Sequence, residues 1–172
     1  MQLIAKERGS HVVMVPEIYN LCLLRSDVSH HDLSAWRIDG FGGAPMPAIT
    51  IKKLRQQLLD LELIHAYGAT ETTSPATILP LGDDDRHRDS IGTVVPCGDI
   101  WVMDEYSREV GVGQPGELWI GGPMVVPGYW HNPEADQREF VAGHWCSGDI
   151  GSMDSQGYVR IFDRNQEIRL TS

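Results

Sequence analysis

In the amino-terminal part of the chain, short apolar runs alternate with longer stretches that have apolar residues on one face. Short apolar runs predict strands, and stretches with apolar residues on one face predict helices. The predicted strands lie at 11–15 and 61–66, and the predicted helices lie at 16–25 and 47–60. Pro16 stops the first run, which we expect to be a buried strand, and it suits the first turn of the helix that follows. Residues 32–38 alternate weakly and lead into a loop at 40–47.

After Gly92 the pattern changes to short strand-like runs that glycine and proline separate. These runs lie at 100–104, 117–120, 124–126 and 158–162. Runs of this length between turn residues are typical of antiparallel sheets. A short helix is predicted to begin at Pro133, with Asn132 as its N-cap. The sequence therefore predicts an α/β fold in two parts: a partial parallel-sheet α/β lobe over 1–95 and a small antiparallel β lobe over 96–172.

Composition excludes several classes of function. The net charge is −10, and no cluster of lysine and arginine provides the positive surface that a nucleic-acid partner requires, so we expect no nucleic-acid partner. No apolar run approaches the ~20 residues of a membrane helix, and the start has no signal-peptide core, so we expect a cytoplasmic protein without a transmembrane segment. The three cysteines are far apart, which favours buried reduced thiols over a disulfide framework or a zinc site.

The first candidate for chemistry is the segment 67–73, which reads Tyr-Gly-Ala-Thr-Glu-Thr-Thr after the second predicted strand. Ligands bind at the carboxyl ends of strands in open α/β sheets. Tyr67 offers a flat face for stacking, Gly68 allows close approach to the backbone, and Thr70 can donate to a phosphate oxygen. Glu71 can hold a hard cation such as Mg²⁺. A surface turn with a solvated glutamate explains the same residues, and the segment alone leaves both interpretations open.

Two further clusters have structural interpretations when each is taken alone. The glycine-rich segment 116–123 predicts a strand and a tight turn. In Ser147-Gly148-Asp149, a lone aspartate after glycine in a loop is typical of a turn. Arg164, a few residues further on, is more often a surface or ion-pair arginine than a ligand contact.

Taken in order, these segments resemble the adenylate-forming superfamily, which includes acyl-CoA and aryl-CoA synthetases, adenylation domains of peptide synthetases and beetle luciferases. The resemblance runs over essentially the whole chain. The matching segments are the opening at 13–19, Gly-Gly-Ala-Pro at 42–45, Tyr-Gly-Ala-Thr-Glu at 67–71, Gly-Glu-Leu-Trp-Ile at 116–120, Pro-Gly-Tyr-Trp-His-Asn-Pro-Glu-Ala at 127–135, Ser-Gly-Asp at 147–149 and Asp-Arg at 163–164. The pairing of 127–134 with Phe-Asp-Arg is closer to CoA ligases than to peptide-synthetase domains. Both predicted lobes would then be parts of one AMP-binding domain.

The resemblance implies a role for each matching residue. The implied adenine contacts are Gly43, Ala44 and Pro45 through their backbone, Tyr67 by stacking, and Ile161. The remaining implied contacts are Thr70 with phosphate, Glu71 with Mg²⁺, Asp149 with the ribose hydroxyls, Arg164 with the ribose or phosphate, and Ala66 and Gly68 with the acyl group. His65 lies where the family often places Asn or Gln near the adenine amino group, and a packing role explains it equally well.

The implied reaction has two steps: a fatty or aryl carboxylate attacks the α-phosphorus of ATP, and the thiol of CoA then displaces AMP. The superfamily also has an upstream phosphate loop ending in lysine and a carboxyl-terminal lobe with a catalytic lysine, and neither is present here. Gln166 replaces the usual lysine beside Glu167, the hinge position. We therefore expect a fragment of a ligase that is inactive in isolation and prone to self-association. The alternatives are an adenylation domain that loads a carrier protein and an inactive nucleotide-binding remnant.

Overall fold

The computed structural model describes residues 1–73, 75–83, 86–87 and 89–164, without the side chains of Asp163 and Arg164. The contacts divide the chain into two compact units. The first unit is Met1–Ala66 with Pro80–Arg86, and the second unit is Tyr67–Leu79 with His87–Ser172. The lobe boundary after residue 95 stays a prediction. No helix among the described residues is long and apolar enough to cross a membrane.

The first unit carries a parallel sheet with helices between its strands, as the sequence predicts. Its elements in order are α1 (Gln2–Lys6), β1 (His11–Met14), α2 (Pro16–Arg25), a 3-10 turn (Val28–His30), β2 (Ile38–Phe41), α3 (Ala48–Gln57) and β3 (Glu62–Tyr67), whose last residue belongs to the second unit. β2 pairs in parallel with β1 on one side and with β3 on the other. The predicted strands and helices of this part are therefore confirmed.

Two details of the first unit differ from the predictions. β1 is not a buried strand, because the Val13 side chain is 79% exposed and every second residue of the strand faces outward. β2 lies at residues assigned to a weak alternation and the start of a loop, and its buried positions include the polar Asp39. A polar residue at a buried position of a strand interrupts the apolar pattern from which strands are predicted.

Asp39 is fully buried in the core of the first unit. The hydroxyl of Tyr19, which is also fully buried, donates to Asp39 Oδ1 at 2.6 Å. Burial raises the pKa of Asp39 to about 7 from its ordinary value of 3.8, against the opposing effect of the hydrogen bond from Tyr19. The folded chain consequently binds this proton more tightly than the unfolded chain does.

The stability of the first unit is therefore expected to depend on pH through Asp39. The contribution of this carboxyl is fully present below about pH 4 and is lost as the pH rises through about 7, because the folded pKa is the higher one. In the wild type, the free energy of unfolding should fall between about pH 5 and about pH 8. In Asp39→Asn this fall should be smaller by roughly 2–3 kcal/mol. Urea titrations at the two pH values measure it. The exposed Asp60→Asn is the control, and an unchanged fall in Asp39→Asn would contradict the assignment.

The described residues of the second unit form an antiparallel sheet and one α-helix. Its elements are β4 (Thr77–Ile78), β5 (Gly92–Val94), β6 (Asp99–Met103), β7 (Gly116–Gly121), α4 (Pro133–Glu139), β8 (Phe140–Val141), β9 (His144–Met153) and β10 (Tyr158–Arg164). The strand order is β4-β5-β10-β9-β7-β6, and β8 pairs with β9. Its core includes Leu118, Ile120 and Val159, each with no exposed surface. The predicted α/β class, with parallel and antiparallel strands, is confirmed.

Of three local predictions for the second unit, two are wrong and one is confirmed. Residues 124–126 form a turn rather than a strand, and the amide of Val126 donates to the carbonyl of Glu71 instead of to a neighbouring strand. Ser147-Gly148-Asp149 lies inside β9 and not in a loop. The N-cap is confirmed, since Asn132 Oδ1 accepts from the amide of Ala135 at 3.2 Å.

The cysteines carry free thiols, as predicted, but they are not all buried. Cys146 is buried in β9, and burial raises the pKa of its thiol to about 11. Cys22 is half-buried and Cys97 is exposed. The prediction of buried thiols is therefore right for Cys146 and wrong for Cys97.

Candidate functional site

Two residues that the motifs single out, Tyr67 and Asp149, are in direct contact in the second unit. The Tyr67 hydroxyl donates to Asp149 Oδ2 at 2.5 Å, although the residues are 82 positions apart in the chain. Asp149 is buried, with 9% of its surface exposed. The tyrosine ring packs half-buried against the core of the unit. This bond fixes a carboxylate beside an aromatic ring.

Asp149 is held by an irregularity in β9. The pairing register between β7 and β9 shifts between Glu117 and Trp119, and Gly148 adopts a positive φ of 74°. The amide of Gly148 donates to Glu117 Oε1 at 2.9 Å. The amide of Asp149 donates to Ser147 Oγ at 3.1 Å, and that hydroxyl donates to the carbonyl of Leu118. The Gly-Glu-Leu-Trp-Ile and Ser-Gly-Asp motifs thus form one structure that orients Asp149.

Glu71 lies in a 3-10 turn, Thr70–Thr72, which follows β3. The buried Thr72 closes the turn, because its hydroxyl accepts from the amide of Ala69 and donates to the carbonyl of Ala69. Thr70 is exposed and Glu71 is half-buried. The turn therefore carries an exposed hydroxyl and a half-buried carboxyl group on neighbouring residues, the two groups that the sequence predicts at a phosphate and a cation.

The Glu71 carboxylate has a specific partner, Tyr129. The Tyr129 hydroxyl lies 2.8 Å from Glu71 Oε1 and 2.7 Å from Oε2 of Glu139, at the end of α4. Burial, followed by the hydrogen bonds to Glu139 and Glu71, raises the pKa of Tyr129, so it is a neutral donor at physiological pH. Both carboxylates are acceptors when ionised.

Glu71 fits a magnesium ion that is shared with a nucleotide. The described residues contain no group of three or more His, Cys, Asp or Glu that could hold a metal alone. Mg²⁺ is usually bound by one or two carboxylates together with substrate phosphates and water. A single oriented carboxylate beside an exposed threonine hydroxyl suits that mode of binding.

The other predicted site residues are distributed over both units. Gly43, Ala44 and Pro45 follow β2 in the first unit, where Gly43 has a positive φ of 79°. A Cβ at the preceding Gly42 would lie 2.3 Å from the carbonyl oxygen of Ala66, so this approach requires glycine. Ala66 belongs to the first unit and Gly68 to the second, and both are half-buried. Ile161 packs against the core of the second unit.

His65 stacks on Phe41 of the neighbouring strand, with ring centroids 4.7 Å apart. This contact supports the packing role that the sequence left open, while a role beside adenine stays a prediction. Arg164 ends β10, and its side chain lies outside the described residues, as do Gln166 and Glu167 of the predicted hinge.

Sequence reasoning missed two residues that contact the predicted site. Tyr129 lies inside the segment 127–135, so the motif contained the signal, but no role was drawn from it. Glu139 follows the motif by four residues and has no signal in the sequence, because its contact arises only where α4 ends.

Comparisons with known proteins agree with the motifs. Residues 1–130 match a family described as AMP-binding enzyme. The chain is 35% identical over 158 residues to the long-chain-fatty-acid–CoA ligase of Yersinia pestis, a match that covers 92% of this chain and 28% of the relative. It spans 28–30% of the length of the curated relatives that it matches first.

Solved structures show the same fold. The N-terminal domain of FACL13 from Mycobacterium tuberculosis is 31% identical, with a TM-score of 0.84 over 94% of this chain and 40% of that one. The amide bond synthetase McbA from Marinactinospora thermotolerans is 28% identical, with a TM-score of 0.84 over 95% of this chain and 33% of that one. The predicted resemblance to the adenylate-forming superfamily is confirmed.

Proposed function

Because this chain belongs to the AMP-binding enzyme family, we propose that it is part of an ATP-dependent ligase that joins a carboxylic acid to the thiol of CoA. The observation that carries the proposal is the bond between Tyr67 and Asp149, which brings together the two side chains expected at adenine and ribose. The similarity to the long-chain-fatty-acid–CoA ligase of Yersinia pestis supports a fatty acid as the substrate. A cytoplasmic location belongs to the same proposal.

Each site residue has a role in the proposed enzyme. Tyr67 stacks on adenine while its hydroxyl holds Asp149, whose buried carboxylate accepts from the ribose hydroxyls. The remaining assignments are Gly43, Ala44, Pro45, His65 and Ile161 at adenine, Arg164 at the ribose or phosphate, Thr70 and Glu71 at the phosphates and cation, and Ala66 and Gly68 at the acyl group. The acyl wall is small and apolar at these two positions.

The proposed chemistry needs positioning more than covalent participation by the protein. The substrate carboxylate attacks the α-phosphorus of ATP with loss of pyrophosphate, and the CoA thiol then displaces AMP. When bound, Mg²⁺ supplies positive charge that stabilises the phosphate oxygens. Thr70 donates to a phosphate oxygen, Glu71 orients the cation, and Asp149 fixes the nucleoside. Such oriented groups act by placing the reactants and by stabilising charge.

A chimera tests the ligase proposal. This chain would replace the matching segment of the Yersinia pestis ligase, and the product would be assayed for pyrophosphate release and for acyl-CoA with a long-chain fatty acid. Acid-dependent formation of both products is expected. Transfer to a carrier-protein thiol or to an amine, but not to CoA, would identify a different acceptor. A folded chimera that binds AMP yet releases no pyrophosphate would contradict the proposal and favour the inactive remnant.

A further inference from the structure

Tyr129 is fixed on three sides in the second unit. Its amide donates to Asp136 Oδ1 at 2.6 Å, and its ring meets Phe140 edge-on with centroids 5.4 Å apart. Its hydroxyl lies within hydrogen-bond distance of both Glu71 and Glu139. The partners lie in α4, in the strand after it and in the 3-10 turn that carries Glu71. The position of the hydroxyl is therefore set by the backbone and not only by its hydrogen bonds.

The segment that carries Tyr129 is also tied to the turn that carries Glu71. The amide of Val126 donates to the carbonyl of Glu71 at 2.8 Å, and the hydroxyl of Thr73 donates to the carbonyl of Met124 at 2.9 Å. Gly128, with a φ of +155°, makes the path possible, since a Cβ there would lie 2.7 Å from Asp136 Oδ1. Both the backbone and the side chain of Glu71 are thus connected to the same segment.

We infer that Tyr129 is a positioning residue whose hydroxyl orients the Glu71 carboxylate toward the cation–nucleotide complex. The inference rests on the proposed function, since it assigns the cation to Glu71. The Tyr129 hydroxyl lies 2.8 Å from Oε1 of Glu71 and so restrains the direction in which this side chain points. A flexible glutamate would otherwise have to be ordered each time the cation binds.

Glu139 is a second acceptor for the Tyr129 hydroxyl, and Arg138 holds it in place. The Arg138 guanidinium lies 2.8 Å from Glu139 Oε1 while the other carboxylate oxygen, Oε2, faces Tyr129. A hydroxyl has a single proton, so the two glutamates compete for it. Weakening Glu139 as an acceptor should consequently leave the bond to Glu71 intact or strengthen it.

The test compares ATP affinity with and without the cation. Dissociation constants for ATP would be measured by calorimetry on the full chain, in EDTA and in saturating Mg²⁺, and their ratio gives the effect of the cation. Loss of a residue that orients a metal ligand typically costs 10–100-fold in metal affinity. Tyr129→Phe should therefore reduce the ratio by about tenfold, while Glu139→Gln should stay within about twofold of the wild type.

Two controls separate positioning from folding. Tyr106→Phe removes an exposed tyrosine hydroxyl elsewhere in the second unit and should leave the ratio unchanged. AMP affinity in EDTA should be the same in Tyr129→Phe and the wild type, because the Tyr67–Asp149 pair does not involve Tyr129. An unchanged ratio in Tyr129→Phe, or an equal loss in Glu139→Gln, would overturn the positioning role alone. A wild-type chain whose ATP affinity does not respond to Mg²⁺ would overturn the proposed function as well.

Discussion

Replacing Gly92 with alanine is expected to lower the free energy of unfolding of the second unit by about 3–5 kcal/mol. Gly92 begins β5 with a φ of +93°, where a side chain strains the backbone. An added Cβ would also lie 2.1 Å from the carbonyl carbon of Ile78 and 2.2 Å from the amide nitrogen of Leu79. These are backbone atoms of the paired strand and the residue after it, so they can retreat only if the pairing of β4 with β5 opens.

Gly157→Ala is the matched control for this change. Gly157 lies in the turn before β10 with a φ of +85°, and a Cβ there would meet no atom within 4 Å. Only the backbone strain remains, which costs about 1–2 kcal/mol. Urea unfolding followed by circular dichroism gives both values. Equal losses in the two variants would show that the contact with Ile78 and Leu79 relaxes freely and would contradict the argument.

The elements that the sequence predicted best have local signals. Pro16 begins α2 at the position where proline is favoured, and Asn132 caps α4 through its own side chain. Such signals act within a few residues and need no knowledge of the rest of the chain. The bounds were less accurate, since α3 ends at Gln57, three residues before the predicted end. Leu58 leaves the helical conformation there, with φ of −130°.

β9 could not be predicted because it depends on its neighbours. Its residues include Ser147, Gly148 and Asp149, which are common in turns, yet the strand pairs with β7 on one side and β10 on the other. Those two partners supply backbone hydrogen bonds over ten residues, and this non-local gain exceeds the local preference for a turn. The same dependence explains why β1 is not buried. Its sequence is largely apolar, as in a buried strand, but among the described residues no neighbouring element covers Val13.

For the candidate site, too, the sequence indicated some features and not others. The motifs named Tyr67, Glu71 and Asp149, because each type of residue belongs to a short segment with a recognisable order. The motifs did not indicate that Tyr67 and Asp149 bond to each other, or that Glu71 meets Tyr129. These contacts join distant parts of the chain, and only the arrangement of the second unit shows them. The sequence therefore named candidate residues, whose roles stay predictions, and the structure shows which of them are in contact.

Asp149→Ala is expected to weaken AMP binding by about 10–100-fold. In the proposed site the carboxylate accepts from the ribose hydroxyls, and hydrogen bonds to a charged group contribute about 1.5–3 kcal/mol. The substitution removes these acceptors from a residue that Tyr67 and the Ser147 hydroxyl hold in place. Calorimetric titration of the chain with AMP measures the affinity, and circular dichroism checks that the variant folds.

Two further variants, Asp149→Asn and Glu105→Gln, test whether the loss of AMP affinity comes from the missing ribose acceptor. Asparagine keeps one oxygen that can accept from Tyr67, so the fold around Tyr67 should persist, but its amide group cannot accept from ribose. We expect Asp149→Asn to lose most of the affinity that Asp149→Ala loses. Glu105→Gln removes the same charge from an exposed position and should bind AMP as the wild type does. If all three variants bind AMP equally well, Asp149 does not contact the nucleotide, and its bond to Tyr67 serves only to stabilise the second unit.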